Sequence, residues 1–261
     1  MKNYFLSAKK FLDHYNIKET TPDLTLLSLI LNAFKQIPYE NISKIVKSNE
    51  NKSITNAFRL PDILVEEHLS YGLGGTCFSL TYLLKQVLDY CGFASHILLA
   101  DRTYGINTHC CIFVEIENNF YLSDVGYLIF TPKLMPKETG DISHFFYGNY
   151  NYKAVKNEGN IDIYSIINHN NYNKFRYRIK LQHIDNDTFF DAWKESFKFD
   201  MMNHVIINTY CGDNHIYIKD FNFHENTKQI KQSRFSENIV GISKIQWDKA
   251  ISILGLNNIK R

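Results

Sequence analysis

A cysteine follows two glycines at the point where a helix is predicted to begin. In YGLGGTCFSLTYLLKQVLDYCGF, Gly74 and Gly75 precede Cys77, and apolar side chains then recur at helical spacing up to Gly92. Free N–H groups at a helix N-terminus favour the thiolate, the form of cysteine that acts as a nucleophile. The glycines would let the backbone turn sharply and leave the sulfur accessible. The same pattern fits a small buried cysteine after a turn, so the stretch alone leaves both interpretations open.

A nucleophilic cysteine requires a base and a group that orients that base. His109 opens the predicted strand HCCIFVEIE, and Asp124 ends the next one, FYLSD. If Asn118 and Asn119 form a tight hairpin turn, Asp124 lies opposite Phe113 and both polar side chains point to the same side of the sheet. A straight ladder would still separate them by about 13 Å at the usual strand rise. Contact between them therefore requires a bulge, strong curvature or another pairing.

Composition excludes several other kinds of protein. The 261 residues carry a formal net charge of only +2, so we expect no nucleic-acid partner and no attraction to a membrane surface. The five cysteines are an odd number without a C-x-x-C pair, which argues against a secreted disulfide framework. We find neither a signal peptide nor an apolar run of about eighteen residues, and expect a reducing cytoplasm. Because adjacent strand residues face opposite ways, the His-Cys-Cys run at 109–111 is not expected to bind a metal.

The periodicity of the chain changes from helical to extended. A helix is expected after Thr21 as N-cap, with Pro22 at its first position, and it should stop before Pro38. Further helices are predicted over 62–70 and from Cys77 or the residue after it. Segments rich in β-branched and aromatic residues then predict antiparallel strands, with the polar stretch 136–160 as an excursion on the surface. The last third mixes strands with a closing helix.

Four motifs together resemble the arylamine N-acetyltransferase family. IPYENI, GGTCF, the histidine of THCCIFVEI, and LSDVGY occur in the family's order, and the resemblance extends from about residue 4 to 132. It implies an α+β fold with an N-terminal helical bundle, a central antiparallel β-barrel and a C-terminal α/β lid, the first two parts being similar to papain-like and transglutaminase-like enzymes. The expected domains are 1–93 with the nucleophile, 94–190 with the histidine and aspartate, and 191–261 as the lid.

The resemblance also implies a reaction. The Cys77 thiolate would take an acetyl group from acetyl-CoA, with His109 as its base and Asp124 as the orienting carboxylate. A small aromatic amine, hydrazine or hydroxylamine would then accept the acetyl group, and no metal is implied. The backbone near Gly126 is a candidate oxyanion donor beside the Cys77 N–H, although it also fits a simple turn.

The sequence indicates the residues of the acceptor pocket less specifically than the catalytic residues. Tyr39 and Tyr127 occupy positions where the family has pocket phenylalanines, and both also fit ordinary core aromatics. Three departures from the family pattern bear on this region, namely Leu73 in place of an arginine, Ser79 in place of a glutamate and Leu128 in place of a glycine. Leu73 leaves Glu40 without its usual partner, and Leu128 would shrink or reshape the acceptor site.

The sequence is also compatible with other functions. An amide synthase would keep the thiol but use another acyl donor, and a cysteine hydrolase or transglutaminase-like enzyme would use water or lysine as acceptor. A catalytically silent binding homologue would retain only the scaffold, and retention of all three triad residue types argues against it.

Overall fold

Five helices and a short strand form the first part of the chain. The computed structural model describes residues 4–147, 150–167, 172–226, 228–230 and 244–256. A two-residue strand, β1 (Tyr39–Glu40), lies between the second and third helices. The helices are α1 (Phe5–His14), α2 (Leu24–Phe34), α3 (Ile42–Glu50), α4 (Pro61–Tyr71) and α5 (Cys77–Tyr90).

The helix boundaries confirm one prediction and correct another. Helix α5 begins at Cys77 as expected, and Gly92 follows its end with a left-handed φ of +79°. The N-cap of α2 is Asp23 and not Thr21, because the Asp23 carboxylate accepts the Leu26 amide N–H at 2.7 Å. Pro22 therefore precedes the cap.

Eight antiparallel strands form a nearly closed, barrel-like sheet, as the sequence predicts. Their order in the sheet is β5-β4-β3-β2-β9-β8-β7-β6. Apolar side chains fill its interior, among them Leu98, Ile163 and Tyr177, all of which are buried. The strands are β2 (Ala94–Arg102), β3 (Gly105–Ile116), β4 (Asn119–Asp124), β5 (Ile129–Leu134), β6 (Ile142–Tyr147), β7 (Tyr150–Asn157), β8 (Asn160–Ile167) and β9 (Tyr172–Lys180).

The prediction of a surface excursion over 136–160 is wrong. Strands β6 and β7 pair with each other and complete one edge of the sheet. On β7, Tyr152 and Ala154 are buried while Asn151 and Lys153 are only half-buried. Buried and half-buried residues therefore alternate over 151–154, and the polar side chains of the strand hide this period-two pattern from an argument based on composition.

A second sheet joins the N-terminal helical part to the C-terminal region. It has the order β1-β10-β11-β12-β13, so the segment Tyr39–Glu40 pairs with a strand more than 160 residues later. Helix α6 (Asn186–Glu195) precedes this sheet and helix α7 (Lys244–Ile253) packs against it. The new strands are β10 (Ile206–Cys211), β11 (Asn214–Lys219), β12 (Asn222–Glu225) and β13 (Lys228–Ile230). Strand β1 lies in the first predicted domain, but its sheet partners lie in the third. The division into domains at 93/94 and 190/191 stays a prediction.

Candidate active site

A cavity of about 870 Å³ opens where the helices, the barrel-like sheet and the C-terminal sheet meet. The helical part contributes Tyr39 and Cys77 to its wall, and the barrel-like sheet contributes His109. Its opposite wall comes from the C-terminal region, including His204 and Tyr217. The predicted nucleophile and base therefore line the same cavity.

His109 and Asp124 are in direct contact. His109 Nε2 lies 2.8 Å from Asp124 Oδ2, and neither side chain is appreciably exposed to solvent. Burial alone would lower the pKa of His109. The charge and hydrogen bond of Asp124, together with Cys77, outweigh that effect and raise the pKa of His109 from 6.5 to about 9. The imidazole is therefore held as an imidazolium at neutral pH.

The position of the hairpin turn brings the two residues together. The turn residues are Glu117 and Asn118, both with positive φ, and not Asn118 and Asn119 as the sequence suggested. The pairing of β3 with β4 is thereby shifted by two residues, and its continuation beyond the printed pairs places Asp124 opposite Cys111 instead of Phe113.

The shift removes the expected gap. Asp124 is then a diagonal neighbour of His109 across two antiparallel strands, about 7–8 Å between backbones, a span that two side chains bridge. The register also slips between Leu122 and Asp124 in the pairing with β5, which turns the end of β4 out of a straight ladder.

Three donors hold the Asp124 carboxylate in place. Besides His109, the Tyr177 hydroxyl donates to Oδ2 at 2.7 Å and the Tyr127 amide N–H donates to Oδ1 at 2.9 Å. The Tyr177 ring also lies 4.8 Å from the His109 ring, centroid to centroid. Tyr177 is fully buried on β9, and no motif in the sequence pointed to it.

Cys77 has the environment of a thiolate. A hydrogen bond with the Cys110 thiol lowers the pKa of Cys77 most, burial opposes it, and the His109 hydrogen bond and charge and the charge of Lys44 lower it further. The net effect is a pKa well below the ordinary 9.0. Burial and the neighbouring Cys77 raise the pKa of Cys110, so that thiol keeps its proton. The sequence did not indicate this contact between the two cysteines.

A buried amine lines the same cavity as Cys77. Lys44 on α3 is 4% exposed, and its Nζ donates to the Ser196 carbonyl at 2.9 Å and to the Ser196 hydroxyl at 2.7 Å. The ammonium lies 4.2 Å from the centre of the Phe197 ring. Burial lowers the pKa of Lys44 from 10.5 to about 7, against the opposing charge of Cys77. Sequence analysis did not single out this residue.

Gly126 packs directly against Cys77. A Cβ atom at this position would lie 2.6 Å from Cys77 Cβ, 2.8 Å from Cys77 Cα and 3.4 Å from His109 Cε1. Such distances leave no room for a side chain. The Val125–Tyr127 turn thus places its backbone against Cys77, and Asp124 caps that turn through the Tyr127 amide.

Tyr39 and Tyr127 both line the cavity. The Tyr39 hydroxyl approaches Met201 Sδ at 4.0 Å, and burial raises the pKa of both tyrosines. The Tyr127 ring lies 6.0 Å from the His109 ring and 6.4 Å from the Tyr152 ring. An aromatic wall therefore extends outward from the imidazole.

A distant arginine replaces the one missing at Leu73. Glu40 is fully buried, and its Oε1 lies 3.3 Å from Arg59 Nη1. Ser43 donates to Glu40 through its backbone N–H at 2.9 Å and its hydroxyl at 2.5 Å. Arg59 is itself 3% exposed and also pairs with Glu67 at 2.8 Å. Leu73 instead packs in the apolar core beneath the C-terminal sheet.

The other two departures are accommodated locally. Ser79 Oγ donates to the Thr76 carbonyl at 3.1 Å and lies so close to Gly75 that a Cβ there would be 2.3 Å away. Leu128 lines the cavity with a buried side chain and a left-handed φ of 62°. A left-handed φ is most favourable for glycine, which explains why the family can have a glycine at this position.

Asn41 ties the cavity walls together. Its Nδ2 donates to the carbonyls of Met201 and His204, both at 2.7 Å, and its Oδ1 accepts the Ile206 amide at 2.8 Å. Both polar groups of its side chain are thus used in joining the IPYENI segment to the C-terminal region.

Comparison with known proteins identifies relatives for this fold and site. The model of the N-acetyltransferase family matches residues 23–242. No curated protein matches the sequence. In the described part of the chain, no group of three or more His, Cys, Asp or Glu side chains is placed to hold a metal ion. No helix in those residues is long and apolar enough to cross a membrane.

Solved structures of low sequence identity share the fold. The arylamine N-acetyltransferase from Mycobacterium abscessus is 14% identical with a TM-score of 0.78, covering 98% of this chain and 99% of its own. The arylamine N-acetyltransferase from Salmonella typhimurium is 16% identical with a TM-score of 0.71, covering 96% and 98%. An arylamine N-acetyltransferase from Bacillus cereus, with a unique Cys-His-Glu catalytic triad, is 20% identical with a TM-score of 0.68, covering 93% and 100%.

Proposed function

Because the chain belongs to the arylamine N-acetyltransferase family and is an acyltransferase, we propose that it moves an acetyl group from acetyl-CoA to small aromatic amines, arylhydrazines or N-hydroxyarylamines. The reaction is ping-pong and passes through an acetyl-cysteine at Cys77. One observation carries the proposal: a thiol of lowered pKa shares a cavity with an imidazolium that a buried carboxylate holds by a 2.8 Å hydrogen bond.

The first half-reaction acylates the enzyme. The Cys77 thiolate attacks the thioester carbonyl, and the charge that develops on the carbonyl oxygen needs N–H donors. We assign that role to the Cys77 N–H and to the backbone at Gly126, since this turn packs against the cysteine. As the intermediate collapses, the C–S bond to CoA breaks, and the CoA thiolate takes a proton from the His109 imidazolium.

The second half-reaction releases the acetyl group. The amine nitrogen attacks the acetyl-cysteine carbonyl, and the now neutral His109 accepts the amine proton. The Cys77–acetyl bond breaks and the thiolate re-forms beside the imidazolium. Asp124 orients the ring and stabilises its charge, while Tyr39 and Tyr127 contact the aromatic acceptor. No step requires a metal.

We also propose a cytoplasmic location. All five cysteines are unpaired, and Cys211 is exposed. Thiols of this kind persist in a reducing compartment. The catalytic thiol itself must remain reduced to act.

Mass spectrometry tests the proposed function. Incubation with acetyl-CoA should add about 42 Da to Cys77, and addition of an arylamine or arylhydrazine should remove it. The Cys77→Ala variant should show no adduct, whereas Cys211→Ser, which alters a thiol on the surface, should behave as the parent protein does. An adduct that persists with every amine would indicate a different acceptor. An unreactive thiol would indicate a silent binding homologue.

A further inference from the structure

Two arginines project into the cavity beside Tyr127. Arg102 ends β2, and its guanidinium carbon lies 5.2 Å from the centre of the Tyr104 ring and 5.6 Å from that of Tyr127. Arg176 lies on the neighbouring strand β9, and its Nε donates to the buried Ser165 hydroxyl at 2.8 Å. Both guanidinium groups line the cavity and are half-buried.

Neither guanidinium forms an ion pair with a carboxylate in the described part of the chain. The nearby acidic residues are already engaged, Asp101 with Lys180 at 3.0 Å and Asp162 with Arg178 at 2.7 Å. Leaving a charge partly desolvated without a counter-charge costs free energy. The arrangement is therefore better suited to an anion that arrives from outside.

The charge of the cavity wall agrees with this. Among its described lining residues, Asp200 alone is acidic, and it lies 3.6 Å from His204. The described lining residues also include three lysines, two arginines and the His109 imidazolium, namely Lys44, Lys198, Lys219, Arg102, Arg176 and His109. A concave surface of one sign concentrates ligands of the other sign.

The arginines lie about one aromatic ring beyond the reacting groups. The centre of the Tyr127 ring lies 6.0 Å from that of the His109 ring and 5.6 Å from the Arg102 guanidinium carbon, and the Tyr127 hydroxyl hydrogen-bonds with Arg176. The tyrosine rings at 104, 127 and 152 provide faces for stacking. An aromatic amine with its nitrogen toward Cys77 would direct a substituent on the far side of its ring toward the two guanidinium groups.

We propose that Arg102 and Arg176 form a subsite for an acidic substituent of the acyl acceptor, so that the preferred acceptors are aromatic amines carrying a carboxylate. The subsite rests on the proposed function, because it selects an acceptor only if the protein transfers an acetyl group to aromatic amines. A guanidinium matches a carboxylate with two parallel hydrogen bonds, which a neutral amide cannot reproduce. The phosphates of CoA offer the same anionic chemistry, so the test must separate acceptor from donor.

Calorimetry on the unacetylated protein tests the subsite without requiring turnover. The probes are para-aminobenzoate and para-aminobenzamide, which share the ring and the amine but differ in charge. The carboxylate should bind about 10- to 100-fold more tightly, as expected for charge-assisted hydrogen bonds. Arg102→Gln and Arg176→Gln should each reduce that preference by at least about 10-fold. The control Arg178→Gln removes an arginine of the same strand β9 that binds Asp162, and it should retain the preference. Equal binding of the two probes, or a preference that survives both substitutions, overturns the subsite.

Turnover separates the two sources of anion. The ratio of kcat/KM for para-aminobenzoate to that for para-aminobenzamide should fall about 10-fold in Arg102→Gln, without an equal rise in the KM for acetyl-CoA. A raised KM for acetyl-CoA with an unchanged ratio would assign the arginines to the CoA phosphates and overturn the proposal. Selective binding of the carboxylate with no acetyl transfer to either amine would support the subsite while refuting the proposed function.

Discussion

Replacing Asp124 with Asn should uncouple the thiol from its base. The carboxylate is fully buried and accepts hydrogen bonds from His109, Tyr177 and the Tyr127 amide. It helps to raise the pKa of His109 from 6.5 to about 9, a shift that corresponds to about 3 kcal/mol of preference for the imidazolium. Because burial by itself lowers this pKa, the imidazole should be neutral at pH 7 once the charge is gone.

The pH dependence of Cys77 alkylation by iodoacetamide measures the effect. Without the imidazolium, the apparent pKa of the thiol should rise by about 2 units. The thiolate fraction below that pKa then falls about 100-fold, but a more basic thiolate is intrinsically about 10-fold more nucleophilic. The rate in that range should therefore fall about 10-fold, while the midpoint of the profile shows the full displacement.

Tyr177→Phe is the matched control. It removes one hydrogen bond to the same carboxylate oxygen and keeps the charge, so the midpoint should move by less than about one unit. Circular dichroism should show that both variants are folded. A folded Asp124→Asn protein whose thiol titrates as in the parent would refute the reasoning, because Asp124 would then have no part in forming the thiolate.

Three further substitutions test the packing around the site. Gly126→Ala would place a Cβ 2.6 Å from that of Cys77, so acetylation followed by mass spectrometry should slow by about 100-fold or more, and an unchanged rate would contradict the close approach. Arg59→Met would leave the buried Glu40 carboxylate without a counter-charge and should cost about 3–5 kcal/mol in urea unfolding. The double variant with Glu40→Gln should recover part of this loss, and equal stability of the single variant and the parent would exclude a structural role. Leu128→Gly relieves a left-handed strain of about 1–2 kcal/mol but removes a buried side chain worth about 2–5 kcal/mol. Its melting temperature should fall while kcat/KM for aminonaphthalene rises relative to aniline, and a higher melting temperature would count against this balance.

Local patterns in the sequence predicted the start of helix α5 and the strands β2, β3, β4 and β9, but they missed β6 and β7. The glycines before Cys77 and the apolar spacing after it act over a few residues, so they can be recognised without a fold. The family resemblance, now supported by the match over residues 23–242, supplied the three candidate catalytic residues and the expected architecture. Their catalytic roles stay a prediction until the thiol is tested.

Only the tertiary structure decided which groups meet. The contact between His109 and Asp124 depends on where one hairpin turns, and a shift of two residues in that turn removes the gap that a straight ladder imposed. Tyr177 reaches Asp124 from 53 residues away, and Arg59 reaches Glu40 from 19 residues away. Propensities and periodicities express free-energy preferences of neighbouring residues along the chain. The partners of a buried charge are selected by strand pairing and by the need to satisfy every polar group that folding removes from water, and neither is encoded in a short stretch of sequence.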